Sequence, residues 1–340
     1  MTWSNFHPLL SLASSMAGLI ALVVALILLL ALWIDRRFGE PPAWVHPVVW
    51  MGRYLQACGS ITVRCPPALA FVSGALAWWL GAMLTGALAW GLQALAFWQV
   101  ANHGATPGLE SGIAVVLMAW LLKSMLSWRM LRDEMGAVEA ALQQSLQAGR
   151  ERLSWLVSRN TALLTSSEVR ESAIESLAEN LNDSVVAPIF WFVLFGLPGA
   201  AVYRFANTAD AMWGYRGVYR GQHWEWAGKW AARADDVLSW LPARLTALLL
   251  ALAAGGLPLK TLRREAGKTP SPNSGWPMAA MALALGVSLS KPGVYTLNPA
   301  GRPPQAPDTV FAKNYASIVV LALVICALIA IVLIAIARSS

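Results

Sequence analysis

Four groups of polar residues have the types and spacing for chemistry on an anion. They are Ser158-Arg159-Asn160-Thr161; Glu175, Glu179, Asn180, Asn182 and Asp183; Asn207 and Asp210 with Gly214-Tyr215-Arg216; and Arg233 with Asp235-Asp236, followed closely by Arg244. Carboxylates and Asn amides are hard oxygen donors of the kind Mg²⁺ accepts, usually while it also holds substrate phosphate oxygens. Arginine offers paired donors that match phosphate and carboxylate. Acidic and basic clusters alternating between apolar helices fit parts of one pocket for a metal-bound anion. They fit ordinary ion pairs near lipid headgroups equally well, and spacing alone does not choose between the two.

The acidic cluster needs a helix to align it, and residues 168–183 supply the pattern. At 100° per residue, Glu168, Glu171, Glu175, Glu179 and Asn182 fall within roughly 80° of one another, with Asp183 beside them. Val169, Ala173, Ile174, Leu177 and Leu181 take the other side. Thr165 followed by Glu168 is capping-box spacing, which marks the helix start. A solvated acidic face on an amphipathic helix would show the same pattern.

Other chemistries lack their signatures. There is no GxxxxGK[ST] phosphate loop, no GxGxxG fingerprint and no GxSxG elbow. Cys58, Cys65 and Cys326 make no metal or disulfide spacing and read as packing residues, and His7, His46, His103 and His223 are too scattered for a linear metal motif.

The surrounding chain is that of an integral membrane protein. Hydrophobic residues make up 57% and charged residues 13% of the 340, and mean hydropathy is +0.54. Eighteen Trp agree, since indoles collect at bilayer interfaces. The net charge of +7 suits loops facing anionic lipid or an anionic substrate, and no basic run with interleaved aromatics suggests nucleic acid. Membrane spans are expected at 17–34, 68–98, 113–130 and 317–337. Asp35-Arg36-Arg37 after the first run places its N-terminus outside. Proline-rich 39–54 reads as a shaped loop at the membrane surface. Lys123, inside the third run, is a functional candidate at that depth or else a snorkelling or interfacial side chain.

Residues 131–316 are expected to be mainly cytoplasmic. If the apolar stretches 185–202 and 245–259 both crossed, Arg204, Arg216, Arg220, Lys229 and Arg233 would lie outside, against the positive-inside rule. They are therefore expected as re-entrant or surface helices. The fold class is thus an all-α integral membrane protein of about four to six transmembrane helices with a large helical cytoplasmic portion.

The ordered motifs resemble one family. Asp35 with Gly39-Glu40-Pro41 and His46-Pro47, Arg159-Asn160-Thr161, and Glu175 to Glu179-Asn180, Asp183 and Ala187-Pro188 come first. Asn207-Thr208 with Asp210, Met212 and Gly214-Tyr215 follow, then Ala232-Arg233 with Asp235-Asp236, Pro242-Ala243-Arg244, and Ser271-Pro272-Asn273 with Gly275-Trp276-Pro277. The chain is similar, over about residues 18–335, to the adenosylcobinamide-phosphate synthases of cobalamin biosynthesis. Two positions depart from the family pattern: Ser158-Arg159-Asn160-Thr161 replaces Gly-Arg-Asp-Thr, and Asp183-Ser184 replaces Asp-Gly.

The resemblance implies an ATP- and Mg²⁺-dependent ligase joining a propionate of adenosylcobyric acid to aminopropanol phosphate or ethanolamine phosphate. It implies Glu175, Glu179, Asp183, Asp210 and Asp236 as catalytic groups, with Glu179, Asp183 and Asp210 toward Mg²⁺. Arg159, Arg216, Arg233 and Arg244 are implied as phosphate or carboxylate clamps, with Asn180, Asn207, Tyr215 and Asn273 as substrate contacts. The implied location is the bacterial inner membrane with a cytoplasmic site. Self-association, or association with other corrinoid-assembly membrane proteins, is compatible with it, and no nucleic-acid partner is expected. A related family linked to β-lactamase induction shares the architecture, so a non-catalytic membrane sensor is the alternative, one that Asn160 would suit. A transporter is disfavoured, because no matching inverted halves are visible.

Overall fold

The computed structural model describes residues 16–103, 108–157 and 159–339. His7 and Ser158 lie outside them. Among the described residues the chain is mostly helical, with two short hairpins. By length and apolarity five helical stretches can cross a membrane: Met16–Phe38, Pro67–Gln99, Leu109–Gln144, Ser166–Trp213 and Ala306–Arg338. A sixth is added if the bent pair Lys229–Leu238 and Trp240–Ala253 forms one span.

The chain divides into two compact units. The first holds the residues up to Leu126, Pro188–Ala234 and those from Val324 on. In it, α1 (Met16–Phe38) packs along α4 (Leu109–Lys123), and α3 (Pro67–His103) packs on α4 and on α2 (Pro47–Thr62). Apolar side chains cover much of the outer surface, including Leu22, Leu26, Leu29, Trp33, Leu76, Trp79 and Trp90. Such a surface is stable against lipid rather than water.

Two expectations change here. The proline-rich stretch is not all loop, because α2 starts at Pro47. Proline fits the first helical position, where no intrahelical N–H is needed, and His46 Nδ1 caps the Val48 N–H at 3.3 Å. Lys123 does not snorkel out of the protein. It is fully buried, with Nζ 2.8 Å from Glu40 Oε2 and 3.5 Å from buried Asp35. His46 Nε2 stands 3.2 Å from the same Glu40 oxygen. Burial would raise the Glu40 carboxyl, but His46 and Lys123 outweigh it and hold it below its ordinary value. The motif residues Asp35, Glu40 and His46 thus join α1, α2 and α4 through one buried lysine.

The apolar stretch from 185 lies in a helical run much longer than 185–202. Helix α8 (Ala187–Trp213) runs on to Trp213, broken locally at Gly196, where φ is +69°. That conformation favours glycine. Leu197 N–H donates to Gln93 Oε1 of α3 at 2.7 Å, which satisfies a backbone group at the break.

The second unit comprises Ser127–Ala187 and Asp235–Leu323. The third apolar run ends earlier than 130: α4 stops at Lys123, and α5 (Trp128–Gln144) starts afresh. Helix α6 (Leu146–Leu153) follows, then α7 (Ser166–Leu181). Both capping-box bonds of Thr165 and Glu168 are present. At Asn182 the chain widens into a π-helical turn, Asn182–Val186, of a kind frequent at functional sites. Helix α9 (Lys229–Leu238) leads into α10 (Trp240–Ala253), which covers only part of the expected 245–259 because Gly255 and Gly256 end it. Helix α10 packs on α12 (Gly275–Leu285), and α12 packs on α11 (Leu259–Ala266) and α7. Ahead of the hairpin Leu289–Lys291 and Tyr295–Leu297 lies the tight junction before α12, and α13 (Ala306–Ser339) closes the chain.

Candidate functional site

Helix α7 is buried over most of its length, which removes the reading of its acidic face as solvated. Each glutamate has its own partner. Exposed Glu168 closes the cap, and buried Glu171 accepts the Ser290 N–H of the hairpin at 2.9 Å. Glu175, 2% exposed, meets Arg159 Nη2 at 2.6 Å. One turn on, Glu179 lines a pocket with Glu175, Arg159, Ser172, Ser176 and Asn180.

The pocket belongs wholly to the second unit and encloses about 340 Å³. The loop residues Thr269, Pro270, Ser271 and Ser274 line it, with Lys291 and Tyr295 of the hairpin. Among the described residues, three buried polar atoms of its lining have no hydrogen-bond partner: Arg159 Nη1, Ser172 Oγ and Glu175 Oε1. Unpaired buried polar groups are costly, roughly 1–3 kcal/mol each. Three around one cavity mark a place built for a polar ligand. Burial first, and then the charges of Glu175 and Glu179, hold the Tyr295 phenol well above its ordinary range, so it stays a neutral donor.

Arg244 and Asn273 are engaged elsewhere. Arg244 Nη1 donates to Asn273 Oδ1 at 2.8 Å and to Trp240 O at 2.8 Å, and Nη2 donates to Pro272 O at 3.2 Å. Its guanidinium also lies 4.3 Å from the Trp240 ring and 5.0 Å from that of Trp276. The buried Asn273 amide donates to Asp236 O at 2.7 Å. These two residues fix the loop that lines the pocket instead of projecting into it. Gly275 tightens the same loop: a Cβ there would stand 2.1 Å from Ala266 O and 2.5 Å from Thr269 Oγ1.

Asp183, in the π-helical turn, accepts from Asn182 Nδ2 at 2.8 Å and is not among the pocket-lining residues. Asn160 is exposed, and its Oδ1 accepts the Ala162 N–H at 2.9 Å. Asp forms the same turn, so the departure at 160 leaves the pocket lining intact. Asn207 and Asp210 lie half-buried on α8 in the first unit, where Gly214 N–H donates to Asp210 O at 2.7 Å. Tyr215 stacks on Tyr219 with centroids 3.6 Å apart, and burial followed by that neighbour pushes its phenol up to about 12. Arg216 and Arg233 are exposed.

Of the residues implied by resemblance, the pocket gathers Arg159, Glu175, Glu179 and Asn180. It adds Ser172, Ser176, Lys291 and Tyr295, which sequence reasoning missed. The serines were findable, since 172, 175, 176, 179 and 180 form one helical stripe. Among the described residues, no three His, Cys, Asp or Glu side chains are grouped to hold a metal. Mg²⁺ often takes only one or two carboxylates plus waters and substrate phosphate. Glu175 and Glu179, with the Ser176 and Asn180 oxygens, fit that sparser donor set.

An all-α membrane protein with a polar pocket built around a buried ion pair is the class these features define. The chain belongs to the CobD/Cbib protein family, whose pattern it matches over residues 28–319. It is 42% identical over 267 residues to the probable cobalamin biosynthesis protein CobD of Thermococcus kodakarensis, covering 78% of this chain and 83% of that protein. To the cobalamin biosynthesis protein CobD of Chromobacterium violaceum it is 42% identical over 287 residues, covering 82% and 86%. The Klebsiella pneumoniae protein of the same name is 36% identical over 273 residues, covering 77% and 81%. No solved structure matches the chain.

Proposed function

We propose that this chain acts in cobalamin biosynthesis as an ATP-dependent ligase. It joins a propionate carboxylate of adenosylcobyric acid to the amine of aminopropanol phosphate or ethanolamine phosphate. The observation that carries the reading is the pocket along α7, where an acid, a base and a hydroxyl each keep one buried polar atom unmatched.

A carboxylate is a poor acyl donor, so it must be activated. Transfer of the ATP γ-phosphoryl group to a carboxylate oxygen gives an acyl phosphate and ADP. The amine lone pair then attacks the carbonyl carbon, the C–O bond to phosphate breaks, and the nitrogen loses a proton. Glu175 or Glu179 takes that proton, and Arg159 and Lys291 stabilise phosphoryl oxygens. Bound Mg²⁺, held by Glu179 with Ser176 or Asn180, would offset charge on the transferring phosphoryl group. Tyr295 remains a neutral hydrogen-bond donor beside the carboxylates.

The protein sits in the bacterial inner membrane with this pocket facing the cytoplasm. Purified protein given ATP, Mg²⁺, adenosylcobyric acid and the amino-alcohol phosphate is expected to form the amide, ADP and phosphate, and Glu179→Gln to slow it at least about a hundredfold. Corrinoid binding without any turnover would instead favour a sensor. Reporter fusions near residue 220 test the sidedness, and an external signal there would contradict it.

A further inference from the structure

We infer that the groove between α1 and α4 binds a phospholipid with a primary-ammonium headgroup, its acyl chain along α4 and its ammonium on Glu40. The groove encloses about 950 Å³ within the first unit. Its lining runs from Leu109 to Lys123, the whole length of α4. At 1.5 Å per residue that is about 21 Å, more than half of the roughly 30 Å hydrocarbon core and so the reach of one lipid leaflet. The walls are apolar, with Trp33, Ile34 and Phe38 from α1 and Ile113, Val116 and Leu117 from α4. Trp33, Phe38, Ile113 and Val116 are each more than half exposed, so the groove opens to the surface of the unit.

One end of the groove is polar. Glu40 and Lys123 are the two ionisable residues of its lining. Glu40 Oε2 already takes the Lys123 ammonium at 2.8 Å and His46 Nε2 at 3.2 Å. Its Oε1 is buried and, among the described residues, has no hydrogen-bond partner. His46 accepts the Val48 N–H at Nδ1, so its proton sits on Nε2 and the ring is neutral. Two carboxylates, Asp35 and Glu40, therefore face the one ammonium of Lys123, and a second cation balances the cluster. The orphaned oxygen needs a donor as well as a positive charge. An –NH₃⁺ group supplies both. A trimethylammonium brings charge without an N–H, and a glycerol headgroup brings donors without a cation. Exposed Arg36 and Arg37 lie on the same last turn of α1 as the lining residues Ile34 and Phe38, and suit the phosphate that follows such an ammonium. A metal ion or a soluble amine would meet Glu40 but leave the apolar walls uncovered.

Full-length protein purified in detergent is offered phosphatidylethanolamine, phosphatidylcholine or phosphatidylglycerol of identical chains, and retained lipid is counted by native mass spectrometry. Phosphatidylethanolamine is expected to bind at least about tenfold more tightly than either of the others. Glu40→Gln should remove that preference. Because Glu40 also holds buried Lys123, a second variant leaves the charge cluster intact. Gly112 lines the groove, and a Cβ there meets nothing within 4 Å, so Gly112→Phe fills the groove without displacing the fold. It should cut retention of phosphatidylethanolamine at least about tenfold, while the melting temperature without lipid stays at or above the parent's because glycine is a poor helix residue. Equal retention of phosphatidylethanolamine and phosphatidylcholine would overturn the assignment, as would a preference that survives both substitutions. So would a lipid-free dimer that Gly112→Phe splits into monomers, which would make the groove an interface with a second copy of this chain. Lipid retention is read without ATP or corrinoid, so it stands or falls apart from the ligation.

Discussion

Arg170 and Glu139 meet through two parallel hydrogen bonds of 2.8 Å each, whereas Arg159 and Glu175 meet through one of 2.6 Å. Both pairs attach to α7, and both carboxylates are nearly buried. The first pair matches fork to fork and locks α5 against α7. The second keeps Arg159 Nη1 and Glu175 Oε1 unmatched beside a cavity. A closed pair holds helices together. An open pair at the same depth retains a cost that a ligand can relieve, which makes it the better marker of a site than charge or burial alone.

That contrast can be broken most directly at the open pair. Glu175→Gln or Glu179→Gln should slow amide formation about a hundredfold to ten-thousandfold while the unfolding midpoint stays near that of the parent protein. Loss of folding with retained specific activity would reverse the comparison. Glu139→Ala should do the opposite, costing about 3 kcal/mol of stability through the stranded Arg170 while leaving activity per folded molecule intact.

Glu265 extends the contrast to a third carboxylate that is fully engaged. Burial would raise it, but Lys268, the Asn298 N–H at 2.7 Å and Arg264 hold it below its ordinary value. Its contribution is therefore present above the unfolded-state pKa and is lost as pH falls through the lower folded-state value. Glu265→Gln should cost about 2 kcal/mol at neutral pH, and its melting temperature should fall less than the parent's on acidification. The smallest effect is expected for Arg244→Lys. A point charge cannot reproduce the fork to Asn273 and Pro272 between two indoles, so about 1 kcal/mol should be lost. The Michaelis constant for the amine should rise with turnover unchanged, since the loop and not the chemistry is loosened.

What the sequence made legible follows from how local each signal is. The apolar runs of α1, α3 and α13 and the Thr165–Glu168 cap are short-range features, and all are present in the structure. Helix α2 was missed because prolines were read as breakers, although Pro47 falls where proline is compatible with a helix start. The open pair was half legible: Glu175 and Glu179 lie on one stripe, but burial of that stripe depends on α12 and the hairpin. Lys291 and Tyr295 come from a hairpin more than a hundred residues away and leave no local trace. Arg244 looked like an anion clamp because its partners, Trp276 and Asn273, are distant in the chain and only Trp240 is one turn back.

Gly275 carries a consequence for how this protein tolerates change. With a carbonyl 2.1 Å and a hydroxyl 2.5 Å from where a methyl group would stand, the position admits one residue type without displacing the loop. In a saturation scan scored by growth, position 275 should therefore accept glycine alone, while exposed Pro270 nearby accepts many replacements. Alanine, the least change chemistry allows, would already spread the loop and enlarge the cavity beside it. Selection for bulkier amines would then be expected to leave this glycine untouched and to recover substitutions at exposed lining positions such as Pro270.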